Sequence, residues 1–213
     1  MVFSKPSAMY TPDRYKNSNR KELLEVVHKN PFGILIISDG DKPVATHIPM
    51  MLHEENGEHI LIGHISKENE QGNLFYNSNT AMAIFQGPHS YISSSWYSHD
   101  NVSTWNYIAV HVYGKIKVMT EIELYEHLIQ LTNHFEQKSA KPKYFENISP
   151  KTIRENVTGV TGFTLSIETI QSSFKLSQNR NEEDHTNIVN ELEKSDDANS
   201  KAVAEEMRKH GHD

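Results

Sequence analysis

Three stretches of this sequence combine residue types that can bind or react. The first is His64-Ile65-Ser66-Lys67-Glu68-Asn69, which joins an ammonium group, a hydroxyl and the first N–H groups of an expected helix. That donor set suits an anion such as a phosphate. Thr46 and His47 sit on the strand expected before it, where hairpin pairing would bring them alongside. The ordinary alternative is that His47 and His64 are satisfied, half-buried strand histidines. The second stretch runs from Tyr91 to Tyr97 and resumes at Thr104-Trp105-Asn106-Tyr107. It holds both tryptophans, Trp96 and Trp105, among serines, tyrosines and Asn106, a mixture that shapes ligand pockets and subunit contacts or plugs a barrel mouth. The third, Phe174-Lys175-Leu176-Ser177-Gln178-Asn179-Arg180, offers two cations and two amides just past the last expected strand, and solvated surface is its plain alternative.

Other chemistries lack their patterns. The chain has 13 histidines but no His-Glu-x-x-His, so no metal site is expected. With no cysteine, disulfides and thiolate sites are excluded. His99-Asp100 beside the serines is not a triad by sequence alone, because triads assemble across a fold. There is no Gly-rich nucleotide loop and no helix-turn-helix. No residue stands out as a catalytic acid or base, although His64, His89 and Tyr97 have suitable chemistry.

The elements that must position these groups follow from periodicity. A helix is expected after Asn19, whose spacing to Glu22 is that of a capping box, with Leu23, Leu24 and Val27 on one face and Asn30-Pro31 as the stop. Phe32–Ile37, Pro43–Met50 and His59–Ile65 read as strands linked by turns at Asp39-Gly40-Asp41 and Asn56-Gly57. A short helix is expected over Glu68–Tyr76, then two short strands, Ala81–Phe85 and Ser90–Ile92, joined through Gly87-Pro88. Tyr107–Val118 alternates without a break, with an interior Gly114 marking a bend. Thr120 and Glu123 open a strong helix with a Leu124, Leu128, Leu131 stripe, a short helix follows Pro150, and Phe163, Leu165 and Ile167 alternate as a last strand. Hairpin-linked short strands with intervening helices predict a β-rich α+β fold, an antiparallel barrel with flanking helices. The expected organisation is a lead-in over 1–18, a barrel domain over 19–180 and a helical appendage over 181–213, with a frayed tail from His210.

Composition narrows the function classes. The formal charge of -7 and the lack of a reading helix argue against direct DNA contact. No segment has the length and apolarity to span a bilayer or serve as a secretory signal, so a cytoplasmic location is expected.

Taken in order, several segments resemble the PaiB-type proteins, the FMN-binding negative transcriptional regulators. They are Met9-Tyr10-Thr11-Pro12, Thr46-His47-Ile48-Pro49, Gly63-His64-Ile65-Ser66, Gly87 to Ser93, Trp96-Tyr97, Thr104 to Tyr107 and Lys175 to Arg180. The resemblance implies a split β-barrel that pairs as a homodimer, with FMN in grooves at the subunit interface. It places the flavin phosphate near Thr46, His47, Ser66 and Lys67, beside His64. Better-known oxidases of the wider superfamily carry arginines there. It also implies that Lys175, with Gln178 nearby, meets the pyrimidine side of the flavin, and that Trp96, Trp105 and Asn106 line the ring or the interface. The implied function is negative regulation of transcription, acting indirectly or as a flavin or metabolite sensor. Two alternatives remain: a flavin-dependent oxidoreductase acting on a small molecule, and a protein that binds haem or another planar ligand.

Overall fold

A computed structural model describes residues 9–77 and 80–211. Part of the expected lead-in, residues 1–8, and the last two residues of the expected frayed tail lie outside the described residues. Six strands hydrogen-bond in the order β1-β2-β3-β6-β5-β4 and close into a barrel: β1 (Phe32–Asp39), β2 (Lys42–Glu55), β3 (Glu58–Ser66), β4 (Ala81–Ile92), β5 (Thr104–Val118) and β6 (Val160–Lys175). Six α-helices accompany them: α1 (Arg20–Lys29), α2 (Gln71–Asn77), α3 (Glu121–Glu136), α4 (Pro150–Val157), α5 (Glu182–Lys194) and α6 (Ala198–His210). The expected β-rich α+β barrel is the observed architecture. By its contacts the chain divides into two compact units, one of Val27–Ile84 and Val112–Thr169, the other of Met1–Val26, Phe85–His111 and Ile170–Asp213.

The unit around β1–β3 is built on two hairpins. Gly40 turns β1 into β2, and Asn56 and Gly57 turn β2 into β3, all three with positive φ. Such turns match the twist of paired strands and demand residues that tolerate a left-handed backbone. Pairing is antiparallel throughout, from Phe32↔Pro49 to Asp39↔Lys42, from Met50↔Gly63 to Glu55↔Glu58, and between β3 and β6 from Ile60↔Ser166 to Ser66↔Val160. Leu35, Met50, Leu61, Ile65, Phe75, Phe163 and Leu165 form its core. The Gln71 amide opens α2 by donating to the carbonyls of Leu35 (3.1 Å) and Val44 (3.0 Å), which fixes that helix to the first hairpin. The Gly114 bend has a steric cause. A Cβ there would stand 1.6 Å from the Ser166 carbonyl oxygen, so only glycine lets β5 pass β6 at this point. At the start of α3 the capping box forms in full, Thr120 Oγ1 receiving the Glu123 N–H while the Glu123 carboxylate takes the Thr120 N–H at 2.6 Å.

The other unit packs α1, α5 and α6 with the remaining strand segments. Leu23, Leu24, Ile92, Ile108, Val110, Phe174, Leu176, Ile188, Leu192, Val203 and Met207 are buried in it. Ser90 and Ser200 share a buried hydroxyl contact of 2.9 Å.

Three expectations about elements need correction. The two strands expected at Ala81–Phe85 and Ser90–Ile92 are one strand, β4, which runs through Gly87-Pro88. Gly87 holds a close approach there, since a Cβ would lie 3.0 Å from that of Ile108. The last strand continues eight residues past Ile167, to Lys175. Its polar stretch hides the continuation, because Ser172 and Ser173 are buried by hydrogen bonds rather than by apolarity: the Ser172 hydroxyl donates to Asn17 O (2.9 Å) and that of Ser173 to Tyr107 Oη (3.3 Å). Finally, Asn19 receives the Glu22 N–H weakly at 3.4 Å, but the Glu22 carboxylate bonds the Asn17 amide and the Lys209 ammonium instead of closing a capping box.

Candidate functional site

The predicted phosphate cluster lies in the unit around β1–β3. Asn69 organises it: its side-chain amide donates to Thr46 Oγ1 at 2.9 Å, and its backbone N–H bonds Ser66 O at 3.0 Å. Thr46 and Ser66, on β2 and at the end of β3, are thereby joined through one turn. Thr46 Oγ1 and Ser66 Oγ, which takes the Glu68 N–H at 3.2 Å, both act as acceptors here, leaving each O–H free to donate outward. Lys67 is exposed and has no carboxylate within ion-pair distance among the described residues. Two hydroxyl donors and one unpaired ammonium fit a phosphate in kind, with Glu68 and Glu70 close behind in sequence to moderate the field. Lys67 also lines an open cavity of about 540 Å³ whose walls include Ile122, Tyr125, Ile153, Arg154 and Val160.

The predicted histidines separate. His47 is exposed, its ring 6.4 Å from that of Phe32. His64 instead meets His127 of α3, with Nδ1 of one 3.1 Å from Nε2 of the other. His127 is 2 % exposed and its remaining ring nitrogen, Nδ1, has no partner. Burial pushes His64 below the ordinary histidine range; burial, then the nearby His64, lowers His127 to about 4. The pair is held neutral, one ring donating to the other.

The other predicted residues lie in the second unit. Trp105 is 53 % exposed, stacked at 6.2 Å on His89 and met edge-on by Tyr91 at 6.1 Å, an aromatic platform on an outward face. Its neighbour Asn106 points the opposite way, as strand alternation requires. Asn106 is fully buried, exchanging hydrogen bonds with the Ser177 hydroxyl (2.9 and 3.1 Å) and touching Met207 Sδ. Trp105 and Asn106 therefore do not line one surface. Gln178 is buried too, its amide spent on Phe174 O and Leu176 N, so that it shapes its own turn. Lys175 is half-buried, donates to the Thr104 hydroxyl, and is lowered by burial and by the positive charge of Arg180. Trp96 is half-buried in a short 3₁₀ turn and shares the wall of a polar cavity of about 270 Å³ with Asn187, Asn190 and Lys194.

Sequence reasoning missed three residues. Asn69 closes the His64–Asn69 segment, and an Asn at a strand-to-helix turn is a recurrent bridging residue, which was the available signal. His127 sits on the apolar stripe of α3 between Leu124 and Leu131, and that placement was the available signal. Asp184 accepts from Ser98 N (2.7 Å), Ser98 Oγ (3.0 Å) and Asn181 (3.1 Å), with His99 Nδ1 at 3.2 Å, and nothing in the spacing foretells this. Glu22, Glu206 and His210 also converge, and the Lys209 ammonium pairs with Glu22 inside that group, tying α6 to α1. No helix among the described residues is long and apolar enough to cross a membrane.

Comparison with known proteins adds the following. Residues 9–169 match the family described as "Putative FMN-binding domain". The chain is 39 % identical over 199 residues, 93 % of its length, to Protease synthase and sporulation protein PAI 2 of Bacillus subtilis (strain 168), of which the match covers 96 %. Among solved structures, the flavocytochrome Anf3 from Azotobacter vinelandii superposes with a TM-score of 0.61 at 14 % identity, over 86 % of this chain and 80 % of that one. The FAD and heme binding protein from Mycobacterium smegmatis superposes with a TM-score of 0.55 at 14 % identity, over 76 % and 73 %. At such identities these two likenesses concern the fold.

Proposed function

Because the chain belongs to the PaiB-type FMN-binding family, with FMN as its cofactor, we propose that it is a flavin-responsive negative regulator of transcription that works as a homodimer and acts on DNA indirectly. The observation that carries the flavin part is the pair of hydroxyls at Thr46 and Ser66, bridged by Asn69, with the exposed Lys67 next in sequence. These residues would hold the phosphate. In the other unit, the half-buried Lys175 offers positive charge and Trp105 an exposed aromatic face, two chemistries that suit a flavin ring. When bound, FMN supplies the redox chemistry; the protein's part is to bind, orient and tune it. The regulatory part is supported by likeness to a protein named for sporulation, and the indirect route by the charge of -7. An oxidoreductase role is the second reading, supported by the family's FMN cofactor, whose redox chemistry a small molecule could use.

FMN titration of the wild type beside Lys67→Ala and Lys175→Ala tests the site. Binding that weakens at least about tenfold in Lys67→Ala is the expected outcome for a lost charge-assisted contact; equal affinity in all three proteins rejects the assignment. A promoter mobility shift that survives physiological salt would overturn the indirect route, and NAD(P)H consumption by the loaded protein would favour the enzyme.

A further inference from the structure

The last turns of α6 bring three metal-ligating side chains together against α1, all within one compact unit. Glu206 and His210 stand four residues apart on α6 and so share a face, and Glu22 of α1 meets them there. His210 Nε2 lies 3.2 Å from Glu22 Oε1 and 3.4 Å from Glu206 Oε2, and one ligand atom from each residue falls within 4.8 Å of the others. That nitrogen is sealed from water yet hydrogen-bonded to neither carboxylate. A proton on it would be a buried donor without a bond, and a bare lone pair would face two negative oxygens. A metal ion among the three removes the conflict, because it takes the lone pair and both carboxylates as ligands. The spacing agrees: ligand atoms about 2.0–2.1 Å from a tetrahedral ion stand about 3.3 Å from one another.

Neighbouring groups hold these ligands in position. Glu22 Oε2 takes the Asn17 amide at 2.6 Å, which turns Oε1 toward His210, and Asn17 O in turn receives the Ser172 hydroxyl at 2.9 Å. The His210 ring stands edge-on to buried Phe174, with centroids 5.3 Å apart. Gly211, at a φ of 69°, closes α6 by donating its N–H to Met207 O at 3.0 Å, and a helix C-terminus favours positive charge. The Lys209 ammonium supplies some of that charge: it pairs with Glu22 and lies 3.8 Å from Glu206. Its side chain is long and 49 % exposed, so it can swing out to solvent.

We propose that Glu22, Glu206 and His210 bind a divalent transition-metal ion of the zinc and manganese class, which displaces the Lys209 ammonium and clamps α6 to α1. Two carboxylates and one imidazole suit these ions, with water completing the coordination. The flavin reading uses none of these residues, so either can fail without the other.

Calorimetric titration of Zn2+ into the tag-free, chelator-stripped full chain tests the site, with a thermal melt of each protein beside it. The wild type should bind saturably and melt higher with Zn2+ than without. Glu22→Gln and Glu206→Gln should each weaken binding at least about tenfold and lose that rise in melting temperature. Lys209→Met should bind more tightly than the wild type, because no ammonium has to leave. A wild type that takes up no Zn2+ overturns the proposal. So does binding that survives both glutamate substitutions unchanged, which would assign the ion to other histidines of the chain. Weaker binding in Lys209→Met also overturns it, since the ammonium would then support the cluster rather than occupy the ion's place.

Discussion

Acid should loosen this protein through one residue. His127 is 2 % exposed, and its folded-state pKa is lowered from 6.5 to about 4 by burial and by His64. A histidine whose folded pKa is depressed stabilises the native state fully above its unfolded pKa, and that contribution drains away as pH falls toward the folded value. The unfolded chain takes up the proton first, so the window runs from about pH 6.5 down to about pH 4. At about pH 5 the unfolded-state imidazole is nearly all charged and the buried one nearly all neutral, which corresponds to a loss of about 2 kcal/mol relative to about pH 7.5. His64, lowered by its own burial, adds in the same direction. Urea unfolding of the wild type, of His127→Gln and of His64→Gln at these two pH values reads the effect, because the two contacting histidines are the groups that differ. The drop in unfolding free energy should be smaller in His127→Gln than in the wild type by about 2 kcal/mol. An equal drop in all three proteins would refute the reasoning, whatever the variants' stability at neutral pH.

Other perturbations have equally direct readings. Gly114→Ala drives a methyl into the Ser166 carbonyl and should cost about 3 kcal/mol or more in denaturant unfolding; a cost below about 0.5 kcal/mol would mean that β5 and β6 are not so close. Asn106→Ala strands the Ser177 hydroxyl in a buried site, with an expected loss of about 1–3 kcal/mol measured the same way. Asp184→Ala removes the acceptor for Ser98 N and Oγ, so limited proteolysis should cut near residue 98 faster than in the wild type; unchanged cleavage would show that this loop is held by other contacts.

Much of the barrel was legible because its strands advertise themselves in two ways, by alternation, as from Ile108 to Val118, and by turns that demand special residues, as at Asn56-Gly57. Legibility failed where burial is achieved by polar means. Ser172 and Ser173 look like loop residues and are buried strand, and Asn106 looks like a ligand contact and is a core bracket for a turn. The site divides along the same line. Thr46 and Ser66 come together through local chain order, one hairpin and one turn bridged by Asn69, whereas the His64–His127 contact joins positions 63 residues apart on a strand and a helix. Pairings of that kind are set by how a helix docks, which spacing alone does not encode.

The turn that follows β6 separates two tasks that many binding loops merge. Its shape is written by buried groups, Ser177, Gln178 and Asn106, while the half-buried side chains at 175 and 180 reach the Thr104 hydroxyl and the Tyr97 ring. Three buried polar groups make the bonds that frame it, and neither cation's side chain shares in them. Charge at those two positions can therefore be rewritten while the bonds that shape the turn stay in place.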